Sequence, residues 1–230
     1  MIRPWAIALL LSACSTAPAP EAIRPEAART LQWHVVDTDF SKGRLGHEQT
    51  LTFDDLVKFH GHWCDGLVVG AMGLGETLHT LYPSAPIDRT DLRIISRSSP
   101  CLTDVAVMLT GARAQFGTFQ VSDTIPGLYL VQRISDGRAF SVALRPGVKP
   151  ASVDSLGRLA VQQLLSPCGL DSLQAIEERF GKDLLAMDPK EAFIITEIPA
   201  FTWPAASGPT FTKTDILNKN APRCATSTRP

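Results

Sequence analysis

Apolar and polar positions along the chain fall into blocks of different period, and each block predicts an element. Residues 31–37 read as a short strand, with a Gly/Lys/Arg-containing loop after it. Thr52 then stands as a helix N-cap, with Asp54 and Asp55 complementing the dipole in the first turn. Phe53, Leu56, Val57 and Phe59 fit one helical face, and the pattern resumes from Gly66 through Leu67, Val68, Val69, Met72, Leu74 and Leu78 to Pro83. The spacing therefore predicts one long helical region. Glycines 66, 70 and 73 form a stripe on it where another backbone can pack closely.

Residues 92–96 have the β-branched content of a buried strand. Ser98-Ser99-Pro100-Cys101 reads as capping residues followed by an N1 proline and the first turn of a helix running through 102–114. Strands are expected at 118–122, 128–134 and 138–144, the last two joined by an Asp-Gly turn at Asp136-Gly137. Helical patterns cover 152–165 and 170–186, separated by Pro167-Cys168-Gly169, and 193–198 reads as a final strand. The tail 199–230 is Pro- and Thr-rich and expected to be extended, docked by Phe201, Trp203 and Phe211. Helices and strands come in blocks around a hairpin, not in strict βα alternation. That order points to an α+β fold, an antiparallel or mixed sheet packed against helices in a single core domain.

The N-terminus changes the picture of where the domain works. The apolar run from Trp5 to Leu11 is too short to span a bilayer, and it ends in Leu11-Ser12-Ala13-Cys14, which resembles the lipobox of a bacterial lipoprotein. The expected organisation is a signal peptide over 1–13, a flexible tether over 14–30 starting at a lipid-modified Cys14, the α+β domain over 31–198 and the tail over 199–230. The expected location is the cell envelope, anchored in the membrane through Cys14. Ser15 in place of Asp favours the outer membrane, facing the periplasm. Hydrophobic content of 44% and charged content of 20% suit a folded globular chain. A net charge of −1 argues against nucleic acid as a partner.

Chemistry concentrates in Phe59-His60-Gly61-His62-Trp63-Cys64-Asp65-Gly66. Imidazole and thiolate suit a borderline-soft ion such as zinc, and a thiolate is also a nucleophile. On a continuous helix His60 and Cys64 face the same way, four apart, while His62 points about 160° from Cys64. All three converge only if the backbone leaves the helix near Gly61 or near Cys64-Asp65-Gly66. Cys101, in the first turn of its helix, lies where the dipole favours thiolate, and Asp104 shares its direction at i+3. The metal ligands expected are His60, Cys64 and Cys101, with an open position for water or substrate; Cys101, His62 and Asp104 are the catalytic candidates. Other readings stay open: a Cys64–Cys101 disulfide, since an exported chain with Cys64, Cys101, Cys168 and Cys224 allows three complete pairings, and plain capping or solvated carboxylates at Asp65 and Asp104. His34, His47 and His79 have no motif and read as surface or packing residues.

The segment KFHGHWCDGLVVGAMG resembles the opening motif FHGHxCPGLxxGxR of the FmdE-like family, named for formylmethanofuran dehydrogenase, and CLTDVAVMLTGARAQFGTF resembles its second element. The resemblance covers about residues 50–198 and implies an α+β core with a cysteine-containing site able to bind a transition metal such as zinc, and often a homodimer. It singles out Phe59, His60, His62, Cys64, Gly66, Cys101, Asp104, Thr110 and Gly111. Asp65 departs from the usual Pro, Met72 from a common Arg and Ala112 from a frequent Cys. Three functional readings follow: a lipid-anchored metal site with catalytic character, a thiol or redox enzyme using Cys64 and Cys101, and a non-catalytic module binding a metal or small molecule.

Overall fold

A computed structural model describes residues 30–224. The leader, most of the tether and Cys14 lie outside the described residues. Strand β1 (Gln32–Thr38) turns Trp33 and Val35 into the core and pairs antiparallel with β2 (Leu45–Thr52), Trp33 lying opposite Leu51. β2 corrects the loop expected there. Four of its eight residues are exposed and only Leu51 is buried, so only Leu51 carries a core signal. A two-residue strand, β3 (Ile87–Asp88), adds to the other edge of β1 in parallel.

Helix α1 (Phe53–His60) opens with a capping box, the Asp55 amide donating to Thr52 Oγ1 at 3.2 Å and the Thr52 amide to Asp55 Oδ2 at 3.0 Å. Gly61 ends it in the left-handed conformation, φ 101°. The single long helical region expected from the sequence is thus two helices, because α2 (Asp65–Leu81) starts afresh with Cys64 as its N-cap.

A second, five-stranded sheet follows, in the order β5-β4-β6-β7-β8. β4 (Leu92–Ser96) is parallel to β5 (Phe119–Val121) and antiparallel to β6 (Tyr129–Arg133), which pairs antiparallel with β7 (Ala139–Leu144), and β7 with β8 (Phe193–Glu197). Between β4 and β5 runs α3 (Pro100–Thr110), and between β7 and β8 run α4 (Ala151–Val161), α5 (Pro167–Leu185) and the short α6 (Pro189–Ala192). Pro167-Cys168-Gly169 belongs to the first turn of α5, where Ser166 Oγ accepts from the Gly169 amide at 3.1 Å; the separator is 162–166. The architecture is α+β, with mixed sheets against helices.

α2 is the centre of this arrangement. Thirteen of its seventeen residues are buried, so it is apolar on every side, and it packs on α3, α5 and β7. Four glycines on a helix lose about 1 kcal/mol each in propensity. Full burial of Leu67, Leu74 and Leu78, at about 2 kcal/mol per side chain, more than offsets that. The glycines receive side chains, where the sequence suggested a backbone. A Cβ on Gly70 would lie 2.6 Å from Tyr129 Oη, one on Gly73 2.9 Å from the Phe193 ring, and one on Gly75 2.5 Å from Trp33 Nε1.

The far face of the larger sheet is covered by the tail. Phe201 and Trp203 pack against Ile95, Ile125, Leu130 and Ala139, and Trp203 Nε1 donates to the Gly117 carbonyl at 3.0 Å. Phe211 meets Phe116 edge-on at 5.3 Å but stays exposed. Among the described residues no helix is long and apolar enough to cross a membrane.

Gly70→Ala tests the packing of α2. Alanine improves helix propensity by about 1 kcal/mol, but its methyl displaces the Tyr129 hydroxyl from its 3.0 Å bond to the Leu102 carbonyl. A net loss of about 1–2 kcal/mol is expected from urea unfolding at unchanged slope.

Candidate metal centre

Two helix N-termini bring the sulfurs together. Cys64 caps α2, its Sγ accepting from the Leu67 amide at 3.3 Å, and Cys101 follows the N1 proline of α3. Their sulfurs are 3.3 Å apart, well beyond the roughly 2.05 Å of a disulfide, so no disulfide joins them. Gly66 makes the approach possible: a Cβ there would lie 2.8 Å from Cys101 Sγ. Trp63 fixes the loop on the other side by packing its indole on Gly181 of α5, where a Cβ would come within 2.6 Å of the ring.

His60 completes the group. Its Nε2 lies 3.8 Å from Cys64 Sγ, and its Nδ1 is 2.8 Å from Asp104 Oδ2. The Asp104 carboxylate accepts from Nδ1–H, which leaves the Nε2 lone pair turned to the sulfurs. With its side chain only 5% exposed, the ring is held in that orientation. Donor atoms of His60, Cys64 and Cys101 all lie within 4.8 Å of one another.

The two thiols share their protons unequally. Cys101 is lowered to about 6, first by the hydrogen bond from the Cys64 thiol and then, against the cost of burial, by His60. Cys64 is raised because it donates that bond, and burial and the Cys101 charge act in the same direction. One thiolate and one thiol therefore occupy the site near neutral pH.

Residues 59–194, more than half of the chain, match the family model described as FmdE, molybdenum formylmethanofuran dehydrogenase operon. The chain belongs to the FmdE family. The match takes in all three donors, and no curated protein matches the chain.

Other residues of the FmdE motifs do different things. His62 is exposed, and its ring lies against that of His60 with centroids 4.5 Å apart and planes tilted by 40°. Asp104 reaches the sulfurs only through His60. Phe59 is exposed, and Thr110 and Gly111 sit at the opposite end of α3, about 15 Å along the helix from Cys101. There Thr110 Oγ1 bonds the Ala106 carbonyl and the Ala112 amide, and Gly111 supplies the left-handed cap, φ 68°. Met72 and Ala112, two of this FmdE chain's departures from the motifs, are both buried in the core. The third, Asp65, is buried in the first turn of α2 and raised by that burial. It borders a cavity of 470 Å³ whose other charged walls include Lys149, Arg158 and Glu177. The sequence gives no local signal for these three, which lie over eighty residues downstream. His34, His47 and His79 are exposed, as expected, and stand apart from this group.

Alkylation with iodoacetamide tests the unequal thiols. In the metal-free protein the Cys101 rate should rise through pH 6 and level off by about pH 8, where an ordinary thiol of pKa about 8.5 is still rising. In Cys64→Ala, which removes the thiol donor, that midpoint should move upward.

Proposed function

We propose that this FmdE-family protein is a lipid-anchored envelope protein whose His60, Cys64 and Cys101 hold a zinc ion in a site with catalytic character. One observation carries the reading: two sulfurs at helix N-termini face the Nε2 of a histidine whose other nitrogen is held by a carboxylate. Ligating histidines are oriented by carboxylates in this way. Two sulfurs on a tetrahedral zinc would be separated by about 3.8 Å, and a sulfur and an imidazole nitrogen by about 3.5 Å. The separations of 3.3 and 3.8 Å lie close to those edges. An S₂N donor set suits zinc and leaves a fourth position for water or substrate.

Bound zinc would supply a Lewis acid and lower the pKa of a bound water. The protein's own groups divide the remaining work. Asp104 fixes the His60 tautomer, Gly66 admits the Cys101 sulfur, and exposed His62, its ring beside that of His60, is placed to carry a proton between the site and solvent. Cys101 would act as a ligand in this reading.

Purified protein in reductant should contain one zinc per chain by elemental analysis, either as isolated or after reconstitution. His60→Ala, Cys64→Ser and Cys101→Ser should each lose most of it, while Asp104→Asn should weaken affinity by about 10–100-fold. Absence of stoichiometric metal under both conditions sinks the reading. The 3.3 Å thiol pair then favours the second one, a thiol enzyme in which Cys101 attacks and Cys64 supplies the proton.

Anchoring rests on the Leu11-Ser12-Ala13-Cys14 segment, outside the described residues. The wild-type chain should take up labelled palmitate and partition with membranes, and Cys14→Ala should do neither.

A further inference from the structure

Away from the metal centre, a cavity of 210 Å³ is walled by Arg89, Gly111, Phe116 and Ile134 and closed by Lys213 and Leu217 of the C-terminal tail. Two cationic groups on it have donors to spare. Arg89 uses Nη1 on Asp37 at 2.8 Å, yet its Nε is buried with no acceptor among the described residues. The half-buried Lys213 ammonium lies 5.7 Å from the Phe116 ring centroid and has no hydrogen-bond or ion-pair partner among the described residues. A buried donor left unmatched, as Arg89 Nε is, is costly, and the Lys213 ammonium adds a second cation on the same cavity.

The surroundings do not supply the missing acceptor. Arg113 Nη1 is taken by the Val107 and Ala112 carbonyls at 3.0 and 2.8 Å, and Asp215 accepts from Ser41 at 2.6 Å. Around the cavity Arg89, Arg113 and Lys213 stand against Asp37 and Asp215. Burial depresses the Lys213 pKa, Asp37 counters this, and Arg89 and Arg113 depress it further. Phe116, Ile134 and Leu217 give the rest of the cavity apolar walls.

We propose that this cavity binds a small organic oxyanion, a carboxylate or phosphate monoester with a compact apolar body, its head on Lys213 Nζ and Arg89 Nε. The tail then forms part of the site. Binding is independent of the metal centre.

Benzoate and phenyl phosphate, with benzyl alcohol as the uncharged control, test this by calorimetric titration and thermal melting of the purified protein. At least one anion should bind saturably and raise the melting temperature, and the tighter of the two identifies the head. Benzyl alcohol should do neither. Lys213→Met should melt at or above the wild-type temperature without ligand, since burial disfavours the ammonium it removes and that ammonium makes no hydrogen bond or ion pair among the described residues, yet lose at least ~10-fold in anion affinity. Lys213→Gln should show the same loss if the Met variant fails to fold. His60→Ala should bind the anion as wild type does. No saturable anion binding up to about 10 mM, equal binding of benzyl alcohol, or wild-type affinity in the folded Lys213 variant would overturn the proposal.

Discussion

The close approach of α3 to α2 is the constraint on which the rest of the structure depends. It requires that α2 present no side chain at Gly66 or Gly70, because Cys101 Sγ at the first and the Leu102 and Val105 side chains of α3 at the second crowd the space a Cβ would fill. The same approach buries α2 on all sides, between α3, α5 and β7. Core packing and site assembly are thus one event. The sulfur–sulfur separation follows from where two helices begin, and each beginning has its own local cause: a left-handed Gly61 followed by a Cys64 cap, and Ser99 before the N1 proline.

Much of the site was legible because its parts are written locally. His60 and Cys64 do come together, but the helical spacing that suggested it is not the reason. The helix stops at Gly61, and Cys64 returns to His60 as the cap of a new helix. Cys101 was recognisable from Ser99-Pro100, since an N1 proline marks a helix start wherever it lies in the fold. Asp104 was placed on the same face of its helix as Cys101. Its partner is the far nitrogen of His60, which only the crossing of α1 over α3 determines.

The fold was legible where burial is one-sided or complete, and illegible where a strand faces water. β4, β6 and β7 are largely apolar because helices cover one face of their sheet and the tail covers the other. β2 carries Gly46, His47, Glu48, Gln49 and Thr50, residues that suit a solvated loop equally well. Its strand state comes from pairing with β1, a contact that no local pattern records. Charged walls around Arg89 and Lys213 are invisible for the same reason, being assembled from segments more than a hundred residues apart.

The protonation of the two sulfurs bears on which chemistry the centre suits. A thiol donating to a neighbouring thiolate must lose one more proton to become the doubly deprotonated pair that a metal takes. The positive ends of both helix dipoles favour the second thiolate, and an incoming cation would replace the shared proton and relieve the repulsion between two thiolates. A thiol enzyme needs only the proton to stay where it is, with Cys101 exposed enough to attack. The half-buried position of Cys101, the 5% exposure of His60 and its second nitrogen locked on Asp104 make His60 a poor mobile base. A ring that is fixed in place and offers a lone pair toward two sulfurs serves better as a ligand, and this geometry is what tips the balance toward metal.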